Sequence, residues 1–217
     1  MSNYAHLFKE SKMFEVKTEL LKSALLFSSK EKTRYNLNGV YFEKTETGVA
    51  IVTTDGHRMF VAKVQVDDAC SNFEPFIIPN EIIKQVLTGH KGTTVLVNEW
   101  DKIIMFDLGN INFAFIDGTF PNWRRVLVTE PVSNEPAQFN PVYIGDIGKV
   151  NKLLKTQSTI HYNGNNPAPV TFTSRDDCFL ILMPMKCEKP VDPITTIKDI
   201  SGVFIETTLK PDLKIVK

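Results

Sequence analysis

The chain is short of the residue patterns that most chemistry requires. Its 217 residues include three cysteines, Cys70, Cys178 and Cys187, scattered and without a CxxC pair. That spacing suggests neither a disulfide framework nor a zinc site, and reduced thiols in a cytoplasm are the simplest reading. Of the four histidines, His6, His90 and His161 stand isolated, so metal ligation has no spacing to support it. No GxSxG, HExxH, Walker loop or GxGxxG occurs. The N-terminus lacks the apolar core of a signal peptide, and no apolar run is long enough to span a bilayer. With 25 basic and 25 acidic residues the formal net charge is zero, so no overall field draws the chain to nucleic acid or anionic membrane. Any nucleic-acid contact must rest on local charge asymmetry. These absences disfavour an enzyme and imply no cofactor and no metal.

What is present is a repeat. Residues 17–29 carry Leu20, Leu21, Ala24, Leu25 and Phe27 at helical spacing. Strand-like runs follow: "GVYFEK", "GVAIVTT" and "RMFVAKVQV". "FEPFIIP" then leads into a second helix, "NEIIKQVL", for which Asn80 is the expected N-cap. The runs "TTVLVNEW", "KIIMFDLG" and "INFAFIDG" come next. A third helix is expected over residues 141–155, and after it "STIHYNG", "PVTFTS" and "CFLILMPMK". One unit, a helix followed by an antiparallel meander, thus recurs three times with a period of roughly fifty residues. The pattern predicts an α+β fold in which amphipathic helices pack on sheets. Two units make a two-layer domain, and the third has no second partner. The expected division is an N-terminal arm at 1–11, a domain at 12–128, a half domain at 129–186 and an extension at 187–217. Within the extension, "GVFIETTL" is a further strand candidate.

Two stretches invite a functional reading. In "TTDGHRMF", Asp-Gly between two apolar runs signals a hairpin turn, and Asp55 and His57 imitate part of a catalytic dyad. No activated nucleophile stands beside them, so the turn is the better account. In "FLILMPMK", Pro184 confines the segment to an edge or a strand end. Its methionines suit either flexible core filling or an apolar surface that accepts varied partners.

The stretches "LNGVYFE" (37–43), "TTDGHRMF" (53–60), "DGTFPNWRRVL" (117–127), "FNPVYI" (139–144) and "LMPMK" (182–186) stand in order. Together they resemble the bacterial sliding clamp family, the beta subunit of DNA polymerase III. The resemblance covers roughly residues 12–186 and implies the clamp fold, whose unit is a helix followed by a meander. Family chains carry three two-unit domains and close as a dimeric ring around duplex DNA. This chain resembles the family's middle domain joined to the second half of its last domain. The resemblance further implies a pocket that takes partner peptides ending in Leu-Phe or similar. The matching positions are Leu37, Thr54, Gly56, His57, Arg58, Met59, Pro121, Arg125, Val126, Asn140, Tyr143, Ile181, Met183, Pro184, Met185 and Lys186. Arg125, Arg58 and Lys186 are expected to hold polar or acidic peptide groups at the rim. Lys186 replaces the family's usual arginine, which removes a planar fork.

For DNA, Arg34 and Tyr35 match a contacting turn of the family, and Lys149, Lys152 and Lys155 share one side of the third helix. A solvated face is the better account of such a lysine row, and Asn80-Glu81 stands where family members often carry basic residues. The expected partners are a DNA polymerase or other proteins with clamp-binding motifs, duplex DNA, a clamp loader and further copies of the chain, with no membrane and a cytoplasmic location. The expected role is a processivity factor of DNA replication that encircles DNA as an oligomer. Its alternative is a non-encircling mimic or adaptor that titrates clamp partners or modulates a host clamp. The reduced size suits a phage or mobile element. Finally, the N-terminal "YAHLF" (4–8) ends in Leu7-Phe8 and so loosely resembles the peptides that clamps accept.

Overall fold

The computed structural model describes residues 13–66 and 73–186. Each helix follows from apolar residues three and four apart. In α1 (Thr18–Phe27), Leu20, Leu21, Ala24 and Phe27 line the buried face. In α2 (Asn80–Gly89) the buried apolar residues are Ile83 and Val86, and in α3 (Pro141–Leu154) they are Ile147, Val150 and Leu154. Asn140 caps α3, its side chain accepting from the Val142 N–H, and Pro141 sits at the first helical position. Asn80 does not cap α2. The N-cap is Pro79, and Asn80 lies inside the first turn, buried, with Nδ2 donating to the Ser29 carbonyl at 3.1 Å. A buried partner on the neighbouring segment outcompetes a local cap.

The strands form two antiparallel sheets. The smaller has the order β1-β6-β7-β8: β1 is Met13–Lys17, β6 Thr94–Asn98, β7 Ile103–Phe106 and β8 Gly109–Asn112. The larger has seven strands in the order β5-β2-β3-β4-β11-β10-β9. These are β2 (Gly39–Thr45), β3 (Gly48–Thr54), β4 (Arg58–Val64), β5 (Phe76–Pro79), β9 (Ser158–Ile160), β10 (Ala168–Phe172) and β11 (Arg175–Leu182). The apolar pattern does not mark β1 as a separate element. It also extends the third strand run of the second unit through residue 118, whereas β8 ends at Asn112. The remainder, with the chain up to residue 127, runs across the large sheet instead, the Ile116 N–H donating to the Ile77 carbonyl at 3.0 Å. The expected strand at "GVFIETTL" and the "YAHLF" segment lie outside the described residues.

Strand alternation divides the core. Val49, Ile51, Phe60, Ala62, Leu180 and Leu182 face the helices. Their neighbours Ala50, Val52, Met59, Val61 and Ile181 face the other way, where Phe120 of the crossing segment covers them together with the partly buried Ile116, Trp123, Val126 and Leu127. Residues up to 185 form one compact unit, and a second begins at Lys186. Within the first, β4 pairs with β11 and α1 packs on α3, so the third repeat is joined to the first through both layers. Cys178 is buried at this join; burial, with Asp177 beside it, pushes its thiol up to about 12, out of reach of nucleophilic chemistry.

An ionic cluster ties the two layers at the same place. Asp146 of α3 accepts from Arg58 Nη1 and from Lys149 Nζ at 2.6 Å. Burial opposes its charged form, but the bonds from Lys149 and Arg58 outweigh that and hold the Asp146 carboxyl below the ordinary carboxylate value. A depressed pKa contributes stability above the unfolded value of about 3.9 and loses it as pH falls through the folded value. Asp146→Asn is expected to cost about 2–3 kcal/mol at neutral pH, as for hydrogen bonds to charged groups. In urea unfolding at stepped pH, that difference should shrink below about pH 4. A difference independent of pH contradicts the assignment.

Candidate functional site

The turn between β3 and β4 is built by its own side chains. Asp55 Oδ1 accepts from the His57 N–H at 2.9 Å and the Arg58 N–H at 3.0 Å, and Oδ2 accepts from Arg58 Nε at 2.8 Å. Thr54 Oγ1 donates to the Arg58 carbonyl at 2.9 Å and accepts from the Gly56 N–H at 3.0 Å. Asp55 is therefore a turn former with both oxygens occupied, not a catalytic carboxylate. Gly56 has φ +92°, and a Cβ there would lie 2.6 Å from Arg34 Nη1.

The turn delivers Arg58 into the protein. Nε bonds Asp55, Nη1 bonds Asp146, and Nη2 donates to the Leu26 carbonyl at 3.2 Å. The guanidinium lies 4.5 Å from the centre of the Tyr143 ring and 5.1 Å from that of Phe27. Its side chain is 11% exposed. The expectation that Arg58 holds acidic peptide groups at a rim meets a side chain whose donors are already engaged internally.

Beside this cluster a groove of ≈ 420 Å³ opens on the face of the large sheet away from the helices. The β4–β11 seam supplies its floor: Met59 pairs with Ile181, and Met183 continues the same face with its N–H donating to the His57 carbonyl at 2.9 Å. Leu37, Thr54, Gly56, Arg58, Pro121 and Val126 complete the lining from the expected set. Arg34, expected at DNA, also lines the groove, its Nη1 donating to the Asp55 carbonyl at 3.3 Å. Asn36, Asn122 and Trp123 line it too and are not among the residues expected from sequence. Trp123 stands inside the quoted "FPNWRRVL", and its size is the available signal. It is fixed by Nε1 donating to Glu43 Oε2 at 2.8 Å, while Arg124 binds the same oxygen at 2.7 Å and stacks over the indole.

The other expected residues lie outside the groove lining. His57 stacks on Tyr143 with ring centres 6.2 Å apart, and both adjoin the groove wall through Arg58 and Met183. Asn140 caps α3. Pro184 follows Met183, and Met185, 45% exposed, donates its N–H to the Gln138 carbonyl at 2.7 Å. Arg125 is exposed on the 3-10 turn Trp123–Val126, and Lys186 is exposed where the second unit begins. Among the expected DNA residues, Tyr35 is 56% exposed and Lys152 and Lys155 are exposed, with Lys155 in left-handed conformation at the end of α3. Lys149 is engaged by Asp146. Among the described residues, no group of three or more His, Cys, Asp or Glu is placed to hold a metal ion. No helix among them is long and apolar enough to cross a membrane.

Helices on one side of antiparallel meanders, repeated, and a groove at the seam between repeats define an α+β clamp fold. Solved structures share it. The DNA polymerase III beta subunit of Borrelia burgdorferi superposes with a TM-score of 0.65 at 19% identity, over 80% of this chain and 64% of that one. The sliding clamp of Bacillus subtilis gives a TM-score of 0.66 at 15% identity, over 83% and 66%. In sequence, residues 15–122 match the family model described as the DNA polymerase III beta subunit, central domain. The beta sliding clamp of Caulobacter vibrioides is 33% identical over 107 residues, which are 46% of this chain and 29% of that relative. That of Vibrio cholerae is 32% identical over 122 residues, 50% of this chain and 30% of the relative. Over its matched part the chain belongs to the DNA polymerase III beta-subunit family. It spans about 30% of the length of the curated relatives it matches.

Gly56→Ala is expected to cost on the order of 1–3 kcal/mol, because of the positive φ; the Arg34 guanidinium, at the end of a flexible side chain, can move aside. Equilibrium unfolding in urea measures it, and an unchanged midpoint contradicts the geometry.

Proposed function

We propose that this chain is a sliding-clamp-like processivity factor of DNA replication whose seam groove holds a short peptide of a polymerase or other partner, ending in Leu-Phe or a similar apolar pair. The observation that carries the reading is the groove itself. Four separated stretches, around Leu37, Thr54–Met59, Pro121–Val126 and Ile181–Met183, converge on one apolar concavity. It has room for two large apolar side chains, and Leu37, Met59, Pro121, Trp123, Val126, Ile181 and Met183 give it a largely apolar lining. Residues 12–128 act on this reading as a middle clamp domain and 129–186 as half of a last one. On this reading His57, Asn140, Tyr143, Pro184 and Met185 take up the rest of the peptide.

Burying two apolar anchors contributes about 3–6 kcal/mol, and ordering the peptide offsets part of it, so micromolar affinity is expected. Arg34 and Arg125, rather than the internally bonded Arg58, remain for acidic or carboxylate groups at the rim. The chain acts by holding partners, not by turnover. Duplex DNA is contacted through Tyr35, Lys152 and Lys155, and a clamp loader and further copies of the chain complete the system. Phosphate contacts make such binding fall steeply with salt. The second reading, an adaptor that titrates clamp partners without encircling DNA, draws on the third repeat, which lacks a mate among the described residues. A flat salt response favours that reading.

Met183→Ala combined with Met185→Ala is expected to weaken a Leu-Phe-ending peptide at least tenfold in fluorescence anisotropy. An unchanged dissociation constant overturns the groove assignment.

A further inference from the structure

The seven-stranded sheet is one strand short of its own symmetry. Read from the β4–β11 seam outward, one side runs β4-β3-β2-β5 and the other β11-β10-β9. The two sides correspond: β2-β3-β4 and β9-β10-β11 are each the meander that follows a helix. The place beside β9 that matches β5 is open among the described residues.

The chain shows how that place is filled elsewhere. The strand that leads into α1 is β1, and it pairs with β6, the first meander strand of the second repeat. The strand that leads into α2 is β5, and it pairs with β2, the first meander strand of the first repeat. Capping is thus reciprocal between mated repeats. The third repeat has a segment in the same position, residues 136–140 leading into α3, and no strand assignment falls on it. It is held on one side, Gln138 accepting from Met185 and Phe139 packing on Tyr162.

We infer that the β9 edge is an interface for a second copy of this chain, in which residues 136–140 of each copy lie beside β9 of the other. The same segment and the same edge occur in every copy, so a two-fold axis satisfies both at once, as an isologous interface requires. Among the described residues the edge also has unpaired backbone groups to offer. His161 N–H donates to the Pro169 carbonyl and Thr173 N–H to the Gln157 carbonyl, both at 2.8 Å. By antiparallel alternation, residues 157, 159 and 161 therefore face β10, while Ser158 and Ile160 aim their N–H and C=O groups outward. An edge left in that state is a template for pairing. The same repeat carries exposed apolar side chains: Val142 at 67% and Ile144 at 40% in the first turns of α3, and Tyr162 at 46% just past β9. The interface follows from strand order and is independent of the peptide groove.

The test is light scattering of the full chain across a wide concentration range, with amide hydrogen exchange read at Ile160. Two variants accompany it. Ile160→Pro removes an outward N–H without taking a bond from the β9–β10 ladder, and Thr159→Lys places a charge on the exposed edge while keeping the backbone. The expected mass is at least twice that of one chain, cut by half in either folded variant, and the Ile160 amide becomes more protected as concentration rises. Should Ile160→Pro fail to fold, Thr159→Lys and the amide decide. A single-chain mass at every concentration overturns the inference, as does an oligomer that Thr159→Lys leaves intact. Protection of Ile160 that ignores concentration and disappears on deleting residues 187–217 overturns it too, since the chain's own extension then fills the place.

Discussion

The guanidinium of Arg58 is the contact on which the arrangement depends. It starts β4, sits against Phe27 of α1, and reaches Asp146 of α3, so one side chain joins the turn, the first helix and the third. A charge this buried is tolerable only because every face of it is met: two carboxylates, a carbonyl and two aromatic rings. The β4–β11 pairing runs beside it, and together they fix the distance between Met59 and Met183 on the opposite face. The groove is in this sense the outer side of an internal ionic cluster.

That placement explains why a protein with little chemistry in its sequence has a defined site. Sheet face and helix face are separated by strand alternation. The helix side is sealed by α1, α2 and α3, while among the described residues the other side is covered by the crossing chain from Ile116 to Leu127. Where the covering ends, at the Trp123–Val126 turn, apolar floor is left open across a seam between repeats. Glu43 holds that end in place through Trp123 and Arg124. On the proposed function such a groove needs only a partner able to supply the missing apolar cover.

Much of this is legible in the residues. Periodicity locates the three helices and nearly all the strands, because their apolar faces repeat at 3.6 and 2 residues over whole elements. Short or partly polar elements escape it: β1 has five residues, and "INFAFIDG" ends β8 at Asn112 and then leaves the sheet, with Ile116 packing on the far face of the large sheet. Asn80 looks like a cap and is instead a buried tether to Ser29, a partner fifty-one residues away that local patterns do not reveal. The groove residues Leu37, Met59, Val126, Ile181 and Met183 are found through resemblance. Spacing alone cannot bring four distant stretches together. Arg58 is visible in the sequence as a charge and so reads as a ligand for acidic peptides. Its internal partners, Asp146 and the Tyr143 and Phe27 rings, come from other parts of the chain, and only the fold reveals that they occupy it.

Methyl NMR of the full chain, isotopically labelled at methionine and titrated with a Leu-Phe-ending peptide, reads groove occupancy residue by residue. Met59 and Met183 line the groove, whereas Met13 and Met105 lie on the smaller sheet. The Met59 and Met183 methyls are expected to move with saturable shifts while those of Met13 and Met105 stay still. Shifts confined to the smaller sheet, or none at saturating peptide, contradict the groove assignment.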